Sequence, residues 1–143
     1  MKFAIVVSRF NAELTAQLAG DAQSCLNENG AAQVDVFHVP GAYEIPVVIN
    51  ELAKSKTYDA LIALGVVVEG ETPHAQMIGD STGVALLDIA REHGVPVINE
   101  IVGTRNWEQA VARCTSSRTS RGWYAAEAAI ETAGVMKRIK GSL

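Results

Sequence analysis

Residues 60–74 have the sequence ALIALGVVVEGETPH, and this stretch indicates both the fold class and the position of a site. The apolar run Ala60–Val68 has the length and composition of a strand that is buried on both faces. It leads through a turn of small and polar residues, and a helix is predicted to start at about His74. A strand that runs into such a turn and a helix N-terminus presents backbone N–H groups that bind anions. The stretch therefore predicts an anion site with a histidine beside it.

The rest of the chain alternates short apolar strands with helices. Three further strands are predicted at residues 3–7, 34–39 and 95–102. Helices are predicted at about residues 12–29, 44–53, 74–93, 107–113 and 122–138, with Asn11 and Asn106 as N-caps of the first and fourth. This alternation is typical of the α/β class. We predict one domain over residues 1–143, a flavodoxin-like three-layer αβα sandwich with a four-stranded parallel sheet of order 2-1-3-4.

Composition excludes several classes of function. The chain has 143 residues, a net charge of −4 and a pI near 5.3, which argues against nucleic acid as a partner. No apolar run reaches membrane-spanning length. Cys25 and Cys114 have neither metal-ligand nor disulfide-framework spacing and fit a reducing cytoplasm. The chain lacks a P-loop and a dinucleotide-type glycine motif, so no nucleotide cofactor is indicated.

Candidate chemical groups fall at the carboxyl edge of the predicted sheet, where ligands bind in this architecture. His74 is a candidate for proton transfer, and the alternative is a structural or merely exposed histidine. Arg113 closes a short helix and precedes a segment rich in arginine and hydroxyl residues that includes Arg121. Guanidinium groups bind phosphate, although a solvated helix end is the usual place of a surface arginine. Thr72 is also predicted as the N-cap of the third helix, with Pro73 as its first residue.

Two aromatic residues follow strand ends at the same edge. Phe10 lies just past the first strand, and Tyr43 follows a turn after the second. Each is interpreted equally well as a core residue or as a platform on which a flat ring stacks.

Several sequence blocks together resemble the 6,7-dimethyl-8-ribityllumazine synthase family. The resemblance covers nearly the whole chain in order. The blocks are VSRFN at 7–11, VPGAYEIP at 39–46, ALG at 63–65, GETPH at 70–74, GVPVI at 94–98, EQA at 108–110, AR at 112–113 and RG at 121–122. The family condenses 5-amino-6-ribitylaminouracil with 3,4-dihydroxy-2-butanone 4-phosphate, releases phosphate and water, and needs no metal or organic cofactor.

The resemblance implies a role for individual residues. His74 aligns with the proton-transfer histidine, and Arg113 aligns with the phosphate-binding arginine, helped by Glu71 and Thr72. Arg121 stands in place of a lysine of the family and is assigned to phosphate binding as well. The remaining positions align with the residues that bind the pyrimidine ring and its ribityl chain, which are Phe10, Ala42, Tyr43, Glu44, Val66, Val67, Val68 and Asn99.

Some positions depart from the family pattern. Asn99 stands where the family usually has a phenylalanine that covers the pyrimidine in the neighbouring subunit's site. Glu69 replaces a basic residue, and residues 75–76 replace an aromatic-acidic pair. These departures leave open an alternative, a non-catalytic flavin- or lumazine-binding member of the same fold. A receiver-like signalling domain is a poorer match, because the predicted strand ends carry no paired aspartates.

The resemblance also implies an assembly. Family members form homopentamers with sites between subunits, and some assemble sixty subunits into a hollow shell. We expect a cytoplasmic homopentamer, with the shell left open, and a functional link to riboflavin synthase. Neither nucleic acid nor a membrane is expected as a partner.

Overall fold

Four strands form a single parallel sheet in the computed structural model, which describes residues 1–70 and 73–142. The strands are β1 (Lys2–Ser8), β2 (Gln33–Val39), β3 (Ala60–Val68) and β4 (Val97–Thr104), and their order is β2-β1-β3-β4. The order and the parallel pairing confirm the prediction from the sequence. Because every strand runs in the same direction, all four carboxyl ends lie at one edge of the sheet.

Five helices cover the two faces of the sheet. They are α1 (Ala12–Glu28), α2 (Ile45–Ser55), α3 (Ala75–His93), α4 (Trp107–Cys114) and α5 (Arg121–Ser142). Helices α1, α4 and α5 pack on one face, and α2 and α3 pack on the other. The predicted three-layer sandwich is therefore confirmed.

The side chains of β1 show why its sequence is apolar without alternation. Phe3, Ile5 and Val7 belong to the core beneath α1 and α5. Ala4 and Val6 belong to the core beneath α2 and α3. Successive side chains of a strand point to opposite faces, so a strand covered on both faces needs apolar residues at every position.

The packing between α1 and α5 is close and includes a buried polar link. A Cβ at Gly122 would lie 2.8 Å from Leu18 Cα and would overlap the Leu18 carbonyl oxygen, so only glycine fits there. The buried Ser120 hydroxyl donates to Asp21 Oδ2 at 2.6 Å and accepts from the Trp123 backbone N–H at 3.2 Å. These contacts fix the start of α5 against α1.

Two predicted boundaries differ from the structure. Strand β4 begins at Val97 rather than residue 95, because Pro96 has no N–H and takes part in the sheet only through its carbonyl oxygen, which accepts from Leu61. Helix α3 begins at Ala75 with His74 at the N-cap position, so the prediction that Pro73 is the first helical residue was wrong. The predicted N-cap, Thr72, lies outside the described residues.

The two asparagines predicted as N-caps behave differently. The Asn106 side chain accepts from the Gln109 backbone N–H at 2.9 Å, which confirms the cap of α4. Asn11 holds the N-cap position of α1 but makes no capping hydrogen bond with its side chain. It adopts a left-handed conformation with φ of 61°, and its Nδ2 donates to the Val66 carbonyl oxygen at 3.1 Å.

No helix over residues 1–70 and 73–142 is both long enough and apolar enough to span a membrane. The same residues contain no cluster of three or more His, Cys, Asp or Glu side chains placed to bind a metal ion.

Candidate active site

Two adjoining pockets open at the carboxyl edge of the sheet. The first, called the polar pocket here, has a volume of about 530 Å³ and lies between the start of α3, the end of β4 and α4. It is lined by Val67, Glu69, Ala75, Gln76, Gly79, Asp80, Ile101, Gly103, Thr104, Arg105, Gln109 and Arg113. Two arginines and two carboxylates therefore line one pocket at this edge of the sheet.

The second pocket, called the apolar pocket, has a volume of about 370 Å³ and lies between the ends of β1, β2 and β3. It is lined by Phe10, Pro40, Gly41, Ala42, Tyr43, Glu44, Val66, Val67, Val68 and Ile78. All seven residues that the resemblance assigned to pyrimidine and ribityl binding, apart from Asn99, line this pocket. Val67 lines both pockets, so a ligand in one is adjacent to a ligand in the other.

The two aromatic residues of the apolar pocket are exposed rather than buried in the core. Phe10 is 59% exposed and Tyr43 is 66% exposed. The backbone N–H of Phe10 donates to the Pro40 carbonyl oxygen at 3.0 Å, which fixes the loop after β1 against the turn that carries Tyr43. Because both rings are accessible and line a pocket, stacking explains them better than core packing does.

The turn between β2 and α2 is held by its own acidic residue. Ala42–Glu44 forms one turn of 3₁₀ helix, and Glu44 Oε1 accepts from the Gly41 backbone N–H at 2.9 Å. The hydrogen bond holds the Glu44 carboxylate at the floor of the apolar pocket. A fixed carboxylate is suited to accept hydrogen bonds from the hydroxyl or N–H groups of a ligand.

Arg113 approaches the polar pocket from the end of α4. Its Nη1 donates to the Gly103 carbonyl oxygen at 3.2 Å, and the rest of the guanidinium group borders the pocket. The sequence interpretation placed an anion-binding arginine here. It missed Arg105 and Gln109, which line the same pocket together with Glu69 and Asp80. No sequence pattern marked Arg105, which precedes the N-cap of α4, whereas Gln109 lies one helical turn before Arg113.

His74 lies where α3 begins, but it is not among the described residues that line either pocket. Its side chain is exposed, and its carbonyl oxygen accepts from the Ile78 backbone N–H at 2.9 Å. The next two residues, Ala75 and Gln76, line the polar pocket, and Ile78 lines the apolar one. The helix that starts at His74 therefore contributes to both pockets. Glu71 and Thr72, which the sequence assigned to phosphate binding, lie outside the described residues.

Arg121 is engaged away from both pockets. Its Nε and Nη2 donate to the Glu100 carboxylate at 2.6 and 3.2 Å, and its guanidinium lies over the Tyr124 ring at 4.2 Å from the centroid. The hydrogen bond to Glu100 raises the pKa of the Arg121 guanidinium. Arg121 is not among the described residues that line the polar pocket, so its assignment to phosphate stays a prediction.

Asn99 also lies outside both pockets, on the face of β4 that is turned towards α3. Its Oδ1 accepts from the Ile101 backbone N–H at 3.1 Å, and its side chain is exposed. Its Nδ2 lies beside Gly83 of α3. The structure thus separates Asn99 from the seven residues with which the sequence grouped it.

Comparisons with known proteins agree with the geometry of the site. The family model described as 6,7-dimethyl-8-ribityllumazine synthase matches residues 1–137. Two proteins named 6,7-dimethyl-8-ribityllumazine synthase, from two strains of Clostridium kluyveri, are each 37% identical to this chain over 142 residues. The alignment covers 98% of this chain and 92% of each relative.

Proposed function

Because the chain belongs to the 6,7-dimethyl-8-ribityllumazine synthase family, we propose that it is a transferase that condenses 5-amino-6-ribitylaminouracil with 3,4-dihydroxy-2-butanone 4-phosphate. The product is 6,7-dimethyl-8-ribityllumazine, formed in riboflavin biosynthesis, with release of phosphate and water. The observation that carries the proposal is the pair of adjoining pockets that share Val67. One pocket offers apolar and aromatic surface to a flat ring, and the other offers arginine to a phosphate.

The aminopyrimidine binds in the apolar pocket. Phe10 and Tyr43 supply exposed rings for stacking, and the strand end Val66–Val68 supplies an apolar wall. Ala42 and Glu44 border the same space, and the Glu44 carboxylate accepts hydrogen bonds from the ring edge or the ribityl hydroxyls. The hydrogen bond from Asn11 to the Val66 carbonyl keeps this wall in register with the loop that carries Phe10.

The butanone phosphate binds in the polar pocket, where Arg113 pairs with its phosphate group. Glu71 and Thr72, which precede α3 in the sequence, are proposed to contribute to the same phosphate site. The positive end of the helix dipole adds to the attraction for an anion. The same groups stabilise the phosphate as it leaves, when its negative charge increases.

His74 transfers the protons that the reaction needs. The 5-amino group of the pyrimidine attacks the ketone, and loss of water gives a Schiff base. Elimination of phosphate leaves an enol that tautomerises to a second carbonyl group. The ribitylamino nitrogen attacks this carbonyl, and loss of a second water closes the ring. Each step moves a proton between nitrogen, carbon and oxygen, and an imidazole both accepts and donates protons near neutral pH. His74 immediately precedes Ala75, which lines the polar pocket, and this proximity supports the role.

We further propose a homopentamer with sites between subunits, with a sixty-subunit shell as the larger form. Met77, Val84 and Leu87 on α3 are each about 60% exposed, which supports a covered surface in the assembly. Asn99 and Arg121 lie away from the pockets of their own chain, so each is proposed to serve a neighbour's site. Sedimentation velocity measures the assembly directly, and a monomer would contradict it. A cytoplasmic location and a functional link to riboflavin synthase complete the proposal.

The activity is tested by mixing the purified protein with both substrates and following lumazine absorbance against the uncatalysed background. We expect acceleration that is lost in His74→Ala and falls by at least about a hundredfold in Arg113→Ala. Lys54→Ala removes an exposed cation of α2 that pairs with Glu51 at 3.2 Å and lines neither pocket, so it serves as the control with unchanged turnover. Absence of acceleration together with tight binding of lumazine or riboflavin would contradict the proposal.

The two roles are separated by steady-state kinetics. Arg113→Ala should raise the KM for the butanone phosphate by about tenfold and leave the KM for the pyrimidine within about twofold. His74→Ala should lower kcat and leave pyrimidine binding intact. Equal effects of Arg113→Ala on both substrates would overturn its assignment to phosphate.

A further inference from the structure

We propose that Arg105 is a second phosphate-binding residue of the polar pocket, acting beside Arg113. The inference rests on the proposed function, because it names a further residue that holds the phosphate of the butanone substrate. Neither the spacing of family motifs nor the sequence interpretation pointed to this residue.

Backbone contacts bring Arg105 and Arg113 to the same wall. Arg113 reaches back along α4 to donate to the Gly103 carbonyl oxygen at 3.2 Å. Gly103 is only two residues before Arg105, and all three residues line the polar pocket. The two arginines therefore line the same pocket near the end of β4, although eight residues separate them in the sequence.

Gln109 connects the two arginines. Its Oε1 accepts from the Arg105 backbone N–H at 3.0 Å, which fixes the backbone of Arg105 one residue before the α4 cap. Gln109 lines the pocket together with Arg105 and Arg113, and its amide nitrogen carries two N–H donors. This wall consequently presents two guanidinium groups and an amide to one ligand.

The charge of the pocket requires a second cation. Among the described residues that line it, the ionisable side chains are Glu69, Asp80, Arg105 and Arg113. With Arg113 alone, the two carboxylates would leave the pocket net negative, and a phosphate dianion would be repelled. With Arg105 included, the formal charges of these four side chains sum to zero. Hydrogen bonds and the N-terminus of α3 can then favour binding of the anion.

Arg105 is also available for a ligand. Arg118 and Arg121 form ion pairs with Glu28 and Glu100, at 2.9 and 2.6 Å. Within residues 1–70 and 73–142, no carboxylate lies within ion-pair distance of the Arg105 guanidinium, and the side chain is exposed to the pocket. A guanidinium without a carboxylate partner forms bidentate hydrogen bonds with phosphate.

The first test measures binding of inorganic phosphate by isothermal titration calorimetry, which does not depend on turnover. We expect Arg105→Ala to raise the Kd for phosphate by about tenfold. Arg105→Lys keeps the charge and should raise the Kd by only about threefold, because an ammonium lacks the bidentate geometry. Lys54→Ala removes an exposed cation outside both pockets, so it is the control and should stay within about twofold of the wild-type Kd. A wild-type protein that does not bind phosphate, or an Arg105→Ala variant with an unchanged Kd, would overturn the inference.

The second test separates this inference from the proposed function. If the wild-type protein forms lumazine, Arg105→Ala should raise the KM for the butanone phosphate by about tenfold and leave the KM for the pyrimidine unchanged. Lumazine formation with an unchanged KM for the phosphate substrate would reject Arg105 and keep the proposed function. Phosphate binding that depends on Arg105, without lumazine formation, would reject the proposed reaction and keep the anion site.

Discussion

The α1–α5 layer and the carboxyl edge of the sheet differ in how much space they leave. Between α1 and α5, Gly122 lies so close to Leu18 that no side chain fits, and the polar Ser120 is fully buried. At the carboxyl edge, Phe10 and Tyr43 are more than half exposed, and two pockets remain open. From this difference we expect the free energy of unfolding to depend mainly on the first region, and ligand binding, under the proposed function, to depend on the second. Substitutions in the first region should change unfolding, and substitutions in the second should change binding.

The largest effect is expected for Gly122→Ala. The new Cβ overlaps the Leu18 backbone, which cannot move aside like a flexible side chain, so the free energy of unfolding should fall by about 3 kcal/mol. Urea denaturation followed by circular dichroism measures it. Gly134→Ala, in the same helix with no atom within 4 Å of the new Cβ, is the matched control and should stabilise the protein by about 0.5–1 kcal/mol. Equal behaviour of the two variants would show that α1 and α5 are not tightly packed.

Ser120→Ala should cost less, about 2 kcal/mol, because it removes the hydroxyl donor of the buried Asp21 carboxylate. The same denaturation experiment measures the loss. Ser81→Ala removes a hydroxyl on the exposed side of α3 and should change stability by no more than about 0.5 kcal/mol. If the cost of Ser120→Ala does not exceed that of Ser81→Ala, the buried link does not stabilise the helix pair.

Phe10→Ala and Tyr43→Ala should weaken binding without affecting stability. Each removes a stacking ring from the apolar pocket, which should reduce affinity for the fluorescent lumazine by about 1 kcal/mol, roughly fivefold. Fluorescence titration gives the affinity. Ile139→Ala removes a comparably exposed apolar side chain from α5 and should leave lumazine affinity unchanged. A drop in unfolding free energy for Phe10→Ala, with unchanged affinity, would contradict the separation of the two regions.

The smallest signal is expected for the thiol groups of Cys25 and Cys114, which should not react with a disulfide reagent while the protein is folded. Burial raises the pKa of both the Cys25 and the Cys114 thiol to about 11. At pH 8 only about one thiol in a thousand is then a thiolate, the form that attacks a disulfide reagent. Reaction with a chromogenic disulfide should be negligible at pH 8, and both thiols should react after unfolding in guanidinium chloride. Fast reaction in the native state would show that this layer opens.

The sequence predicted the sheet well, because the relevant information is local. Continuous apolar runs such as Ala60–Val68 identify strands buried on both faces, and the alternation with helices implies the parallel order. The predicted start of β4 was less accurate. Whether Pro96 is part of the strand depends on its hydrogen bonds with the neighbouring strand β3, which the local sequence does not show. The side chain of Asn11 was misassigned as a cap for a similar reason, because its acceptor, Val66, is 55 residues away.

The site was predicted in part. The grouping of Phe10, Tyr43 and Val66–Val68 in one pocket follows from parallel strands that end at the same edge. Arg105 was overlooked because a single arginine in a loop carries no pattern, and only the fold brings it beside Arg113. The ion pair between Arg121 and Glu100 could not be predicted either, because the sequence contains several oppositely charged residues with which each could pair.

The central position of β1 determines the order in which the chain is able to fold. Both strands that pair with β1 follow it at a distance in the sequence. Lys2 pairs with Gln33 of β2, and Phe3 pairs with Ala60 of β3. Closing the longer loop has the greater entropic cost, so contact with β2 is favoured before contact with β3. Until β3 pairs with β1, one edge of the apolar strand β1 has unpaired N–H and C=O groups. Such an edge can pair with a strand of another chain. The strand order that brings the two pockets together therefore also fills the sheet with contacts between distant parts of the chain, which favours slow folding.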